Sequence, residues 1–202
     1  MGNPGAQMTQ GTNRSTDDSL RDSAEQTGED SVTIDNMEDL LEEQLREIYG
    51  AERQLSAELP KLIWQTTSLS LRLNLTDQFQ EAERRIDRLG DAFRMLGRIP
   101  RGAYCHGIRG FLDEGNFAAR RGSRGGELDA AVIACTMRVT QYTVAAYSRA
   151  IAYAKLLGQR AISELLTESL IEEKGTVEAL LRLAEDPMNE VAVHPGPALR
   201  QA

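Results

Sequence analysis

The chain has 202 residues, 41% of them hydrophobic, and a formal net charge of -8 at pH 7. That length and apolar share can supply one sizeable core with chain to spare, while the acidic balance argues against a surface built for nucleic-acid phosphates or anionic lipid. No apolar run approaches the ~20 residues of a membrane span, and the Met1 to Asp30 stretch lacks the basic start and apolar core of a secretory signal. The expectation is a soluble cytoplasmic protein that binds neither nucleic acid nor membrane. The two cysteines, Cys105 and Cys135, have neither metal-motif spacing nor the density of a disulfide scaffold. They read as buried free thiols, with a redox pair as the alternative.

Residues 1–34 are mostly Gly, Ser, Thr, Asn, Asp, Gln and Glu, too little apolar surface to offset the entropy of ordering, and predict a disordered acidic tail. The first helix opens at Asp35 or Asn36, either a competent N-cap. It sets Leu41, Leu45, Ile48, Leu55, Leu59 and Leu62 at alternating steps of four and three, with Glu52 at the one interrupted position. Pro60 inside this pattern predicts a bend or a helix that continues only briefly. Leu69, Leu71, Leu73 and Leu75 alternate like a strand but have no partner run, so they read as a loop entering the second helix. That helix carries Leu75, Phe79, Ala82, Ile86, Leu89, Phe93 and Leu96 and stops at Gly97 and Pro100.

A long connection follows, from about Arg98 to Gly126, with a short helical piece around Ala103 to Ala119. It closes on the run Arg120-Arg121-Gly122-Ser123-Arg124-Gly125-Gly126, which reads as a solvated turn. The third helix, about Glu127 to Leu157, is apolar on two stripes, Leu128, Val132, Cys135, Val139, Tyr142, Ala146 and Ile133, Met137, Val144, Tyr147, Ile151, and should be the most buried. Gly158 breaks it. The fourth carries Ile162, Leu166, Leu170, Val177, Leu180 and Ala184, with Glu173 interrupting, and Asp186-Pro187 stops it. Residues 187–202 read as a second tail. Short links within each helix pair and one long link between the pairs predict an all-α, ferritin-like antiparallel four-helix bundle over residues 35–186, with a helix-containing crossover between helices two and three.

A carboxylate on a stripe that faces the core is costly unless it is paired, protonated or bound to metal. Glu52 and Glu173 both stand in that position. Di-metal carboxylate bundles meet the same cost with inward Glu residues from all four helices and two Glu-x-x-His motifs. Here the only histidines, His106 and His194, lie in the crossover and the C-terminal tail, and no Glu-x-x-His occurs.

Ile48-Tyr49-Gly50-Ala51-Glu52-Arg53-Gln54-Leu55 with Leu59-Pro60-Lys61-Leu62 resembles the first helix of the YciE/YciF family of bacterial stress-associated ferritin-like proteins. Cys105 through Glu114 is similar to that family's crossover, Asp129 through Ala134 with Tyr142 and Tyr147 to its third helix, and Leu170-Ile171-Glu172-Glu173-Lys174 to the acidic centre of its fourth. The resemblance implies a dinuclear metal site, and its ligand positions fall here on Glu52, on Gln80 and Glu83, on Thr140-Gln141-Tyr142-Thr143, on Glu173 and on Val177. Three candidate metal-binding acids remain, Glu52, Glu83 and Glu173, with Gln80, Thr140 and Thr143 at former ligand positions.

Three readings follow. The first is a stress-associated structural or interaction protein, a homodimer with no cofactor, whose metal site is largely lost. There the leftover carboxylates are satisfied by Thr140, Thr143 and Gln80 or by an arginine such as Arg138 or Arg149; Arg109, where the family often has an acid, fits such a rearrangement. The second keeps one hard divalent metal ion on Glu52, Glu83 and Glu173 with Gln80 and water. The third makes the acidic N-terminal tail the docking segment for a protein partner. Tyr49, Tyr142 and Tyr147 read as structural, with hydroxyls turned to a buried acid or water, and Trp64 as a dimer contact or end-of-bundle packing.

Overall fold

The computed structural model of the chain describes residues 34–121 and 125–185. Both predicted tails, apart from Ile34, and residues 122–124 of the arginine-rich turn lie outside the described residues. Among the described residues five helices run in order: α1 Met37–Gln65, α2 Leu69–Met95, α3 His106–Arg120, α4 Gly126–Leu156 and α5 Arg160–Ala184. Four form the bundle, in which α1 pairs with α2 and α4 with α5, and the two hairpins close on each other through α1 against α4 and α2 against α5. α3 is the crossover helix and rests on α4 and α1.

The helix starts follow their side chains. Asn36 accepts hydrogen bonds from the N–H groups of Glu38 and Asp39 at 2.8 and 3.0 Å, the expected cap of α1. Pro60 lies inside α1, which runs on only to Gln65. The start of α2 differs from the sequence expectation, because Leu69 to Leu75 is helical from the outset and Ser68 caps it by accepting from Leu71 N. Alternating leucines fit a helix here because Leu71 and Leu75, four apart, are buried while Leu69 and Leu73, also four apart, face solvent. Asp129 of α4 fastens this corner, accepting from Thr67 N, Thr67 Oγ1 and Ser68 N at 2.9, 2.6 and 2.8 Å.

The crossover lies on α1 at Gly50. Ala103 N donates to Arg46 O at 2.9 Å, and a Cβ on Gly50 would stand 1.7 Å from Ala103 O, so only glycine lets the two backbones touch. Asn116 of α3 donates to Glu58 of α1 at 2.8 Å and ties the crossover helix down at its other end. Trp64, near the end of α1, is 85% exposed. It follows Leu62 by two residues, which on a helix turns a side chain to the opposite face.

The bundle interior is divided along its length. One apolar cluster holds Leu55, Leu59, Leu62, Leu71, Leu75, Val132, Val139 and Leu180, with Ile108 and Leu112 of α3. The other holds Leu41, Leu45, Ile48, Leu89, Phe93, Ala146, Ala150, Ile162 and Leu166. Between them, buried polar side chains come from all four bundle helices: Glu52, Arg85, Thr140, Thr143 and Glu173.

Candidate functional site at the bundle centre

The inward row of α2 steps by four and three through Leu71, Leu75, Gln78, Ala82, Arg85 and Leu89, all buried. The sequence stripe was drawn instead through Phe79 and Ile86, which are only half-buried. That one-residue rotation conceals the central cation. Arg85, 2% exposed, projects into the bundle where α1 presents Glu52 and α5 presents Glu173, themselves 0% and 1% exposed.

The guanidinium grips Glu52 as a fork, Nε donating to Oε1 at 2.8 Å and Nη2 to Oε2 at 3.2 Å. Nη2 also stands 3.0 Å from Glu173 Oε1, a charge contact without hydrogen-bond alignment. Nη1 has no hydrogen-bond acceptor and lies 3.7 Å from Glu81 Oε2 and 3.9 Å from Glu172 Oε2. Tyr147 donates its hydroxyl to Glu52 Oε1 at 2.9 Å. Thr140 and Thr143 donate their hydroxyls to the carbonyls of Thr136 and Thr140, both at 2.9 Å, within α4. Outside this centre, Arg88 forks Glu172 at 2.6 and 2.8 Å, and Thr176 donates to Glu81 at 3.3 Å.

Two carboxylates around one guanidinium leave a surplus negative charge in a dry interior. Burial pushes the Glu173 carboxyl well above the ordinary range, against the attraction of Arg85 and with the help of Glu52. Burial opposes the charge on Arg85, but Glu52 and then Glu173 outweigh it and hold the guanidinium protonated. The arrangement with the least uncompensated charge is therefore a charged Arg85 beside a neutral Glu173 acid. At the rim the balance runs the other way. Burial would raise Glu172, but its bonds to Arg88 prevail and lower it, whereas burial leaves Glu81 raised.

The structure brings together Glu52 and Glu173 and separates the other positions implied by the resemblance. Gln80 and Glu83 are exposed on α2, Glu83 accepting from the Ser56 hydroxyl. Thr140 and Thr143 are at the centre as expected. The neutralising arginine is not Arg138, which pairs with Glu114, nor Arg149, which reaches Glu47 and Gln44 on the surface. Arg109 pairs with Asp113 on α3.

A dinuclear metal pair needs about six donor side chains, including imidazoles in the di-iron carboxylate bundles. The centre offers two carboxylates whose oxygens already face a cation, no histidine, and threonine hydroxyls turned to the main chain. Among the described residues no group of three or more His, Cys, Asp and Glu side chains is placed to hold a metal ion. The residues present do not fit that metal pair.

Beside the centre, Tyr142 donates to Glu47 and accepts from Cys105 Sγ at 3.3 Å, and Tyr49 packs edge-on against Phe93, so the tyrosines take the structural roles expected of them. Both cysteines are buried and free. Cys135 donates to Phe111 O at 3.1 Å, and burial pushes its thiol up to about 11.

No helix among the described residues is long and apolar enough to cross a membrane. Protein YciF of Escherichia coli K12 is 28% identical over 162 residues, covering 80% of this chain and 98% of YciF. The solved structure of that E. coli stress protein superposes with a TM-score of 0.73 at 29% identity, over 77% of this chain and 99% of the other. YcfI of Rhodopseudomonas palustris, provisionally termed a structural protein, gives a TM-score of 0.72 at 39% identity over 75% and 96%. The DUF892 domain of unknown function spans residues 36–193, and with these YciF-type relatives it places the chain in the DUF892 family.

Proposed function

We propose that this chain is a YciF-like protein of structural or interaction function, acting as a homodimer, in which an internal ion-pair cluster stands where ferritin-like relatives would hold a dinuclear metal. The observation that carries the reading is Arg85, forked onto Glu52 and touching Glu173 at the bundle centre. A guanidinium brings a fixed positive charge and a planar set of donors, so it can neutralise and orient buried carboxylates without exchanging with solvent. It offers no open coordination position and no redox couple. The provisional structural description of YcfI points in the same direction. An open apolar hollow lined by Phe111, Ala134, Met137 and Tyr142 on α3 and α4 supports self-association.

The test is metal analysis of the full chain purified from medium supplemented with iron, manganese and zinc, together with its mass in solution. The expected result is a dimer with metal well below one ion per chain. Stoichiometric metal that is lost on Glu52→Gln and Glu173→Gln would overturn the reading and restore a carboxylate metal site.

A further inference from the structure

Two apolar features stand at opposite ends of one exposed face of α4. Toward its start, Ala134 and Met137 form a hollow of about 570 Å³ with Tyr142 and with Phe111 of α3. At its last residue Leu156 is 76% exposed. Between them an exposed row steps by four and three through Ala134, Arg138, Gln141, Ala145, Ser148 and Ala152 before it reaches Leu156. Ala145 is the midpoint of that row, with Ala134 eleven residues before it and Leu156 eleven after. Eleven residues make close to three whole turns and ~16 Å of rise, so the hollow and the protruding leucine share one direction and are equally far from Ala145.

That spacing is the condition for self-pairing. A two-fold contact matches a surface to itself, so a protrusion on one side of the axis must meet a depression at the same distance on the other. Two copies of α4 laid antiparallel about Ala145 set Leu156 of one against Ala134 of its partner, and the reverse, so that each leucine enters a hollow. Arg138 then falls opposite Ala152, and the Gln141 amide falls beside Ser148, whose oxygen can accept from it. Long side chains meet short ones along the row, as close helix packing requires. A foreign partner would need no such match between the two ends.

Charge favours the same occupant. With a formal net charge of -8, two copies of this chain oppose acid to acid over much of their surface. From Ala130 to Leu156, however, α4 contains neither Asp nor Glu. Its outward bases Arg138 and Arg149 are paired within their own chain, to Glu114 and Glu47. No acid of α4 along this row repels its counterpart.

We propose that the outer face of α4 is the surface on which two copies of this chain pair, antiparallel and two-fold about Ala145, with Leu156 of each seated in the hollow of the other. The inference rests on the homodimer reading above and adds to it which face is shared and in what register.

The test uses the full chain, followed by sedimentation and by cross-linking. Residue 145 meets its own copy across the axis, so Ala145→Cys should join two chains when oxidised with diamide, the native Cys105 and Cys135 being buried. Ala57→Cys, at an exposed position of α1, is the control and should not join them. Leu156→Ala should raise the dimer dissociation constant about tenfold or more, since each dimer loses two seated leucines. It should leave the helical circular dichroism unchanged, because within one copy Leu156 is already exposed. A dimer that keeps its affinity in Leu156→Ala, or that cross-links no better through Ala145→Cys than through Ala57→Cys, would overturn this interface and leave the homodimer standing. A chain that stays monomeric at every concentration would overturn the homodimer reading itself, and this inference with it.

Discussion

Toward the N-terminal end of α1, Leu41, Leu45 and Ile48 pack with Leu89, Phe93, Ala150 and Leu166 in a layer without charge. One turn further on, Glu52 meets Arg85, Tyr147 and Glu173, again with no more than 2% exposure for any of them. The apolar layer gains stability from any well-shaped hydrocarbon, since burial is non-directional. The polar layer is conditional. Desolvating a charge costs on the order of 5 kcal/mol per ion, and only a partner in the right place offsets it. The same degree of burial therefore makes one region tolerant of change and the other dependent on a single side chain.

The most severe way to break that contrast is Arg85→Ala, which strands Glu52 beside Glu173 and should cost about 3–5 kcal/mol in urea unfolding. Converting the whole centre, Glu52→Leu with Arg85→Met, Glu173→Leu and Tyr147→Phe so that no hydroxyl is orphaned, should remove the penalty and leave stability unchanged or raised by roughly 1–4 kcal/mol. If this fourfold variant were as unstable as Arg85→Ala, the cluster would be contributing something that apolar packing cannot replace.

A second and smaller effect distinguishes the two acids. The folded-state pKa of Glu173 lies above its ordinary value of 4.5, so its contribution is fully present below that value and is lost as pH rises toward the raised one. Glu172, lowered by Arg88, contributes above the ordinary range and loses this as pH falls through its folded value. Thermal midpoints measured against pH should therefore decline less on the alkaline side in Glu173→Gln and less on the acid side in Glu172→Gln. Glu52→Gln, which removes the charge that Arg85 grips, should be the more destabilising of the two central Gln variants at neutral pH. The smallest effect is expected from Arg138→Ala at the exposed pair with Glu114, at most about 1 kcal/mol and reduced further by salt.

The five helical segments, the long crossover and the inward placement of Glu52 and Glu173 were all legible in the sequence, because a core-facing helix must repeat its apolar residues every three to four positions. The start of α2 was not, since alternating leucines satisfy a strand on period alone and only Ser68 and the packing of Leu71 and Leu75 decide otherwise. Arg85 was missed for a related reason. Phe79 and Ile86 outscored Gln78 and Arg85 as core candidates, although the step pattern through Leu75, Ala82 and Leu89 admits the polar pair equally well.

The sequence by itself thus determined that a helical bundle forms and that two glutamates enter its core, because both follow from local spacing along single helices. Which cation meets those glutamates was decided only by tertiary structure. The rotation of α2 about its axis depends on how its whole length packs against α1 and α5, and that rotation turns Arg85 inward while leaving Gln80 and Glu83 in water.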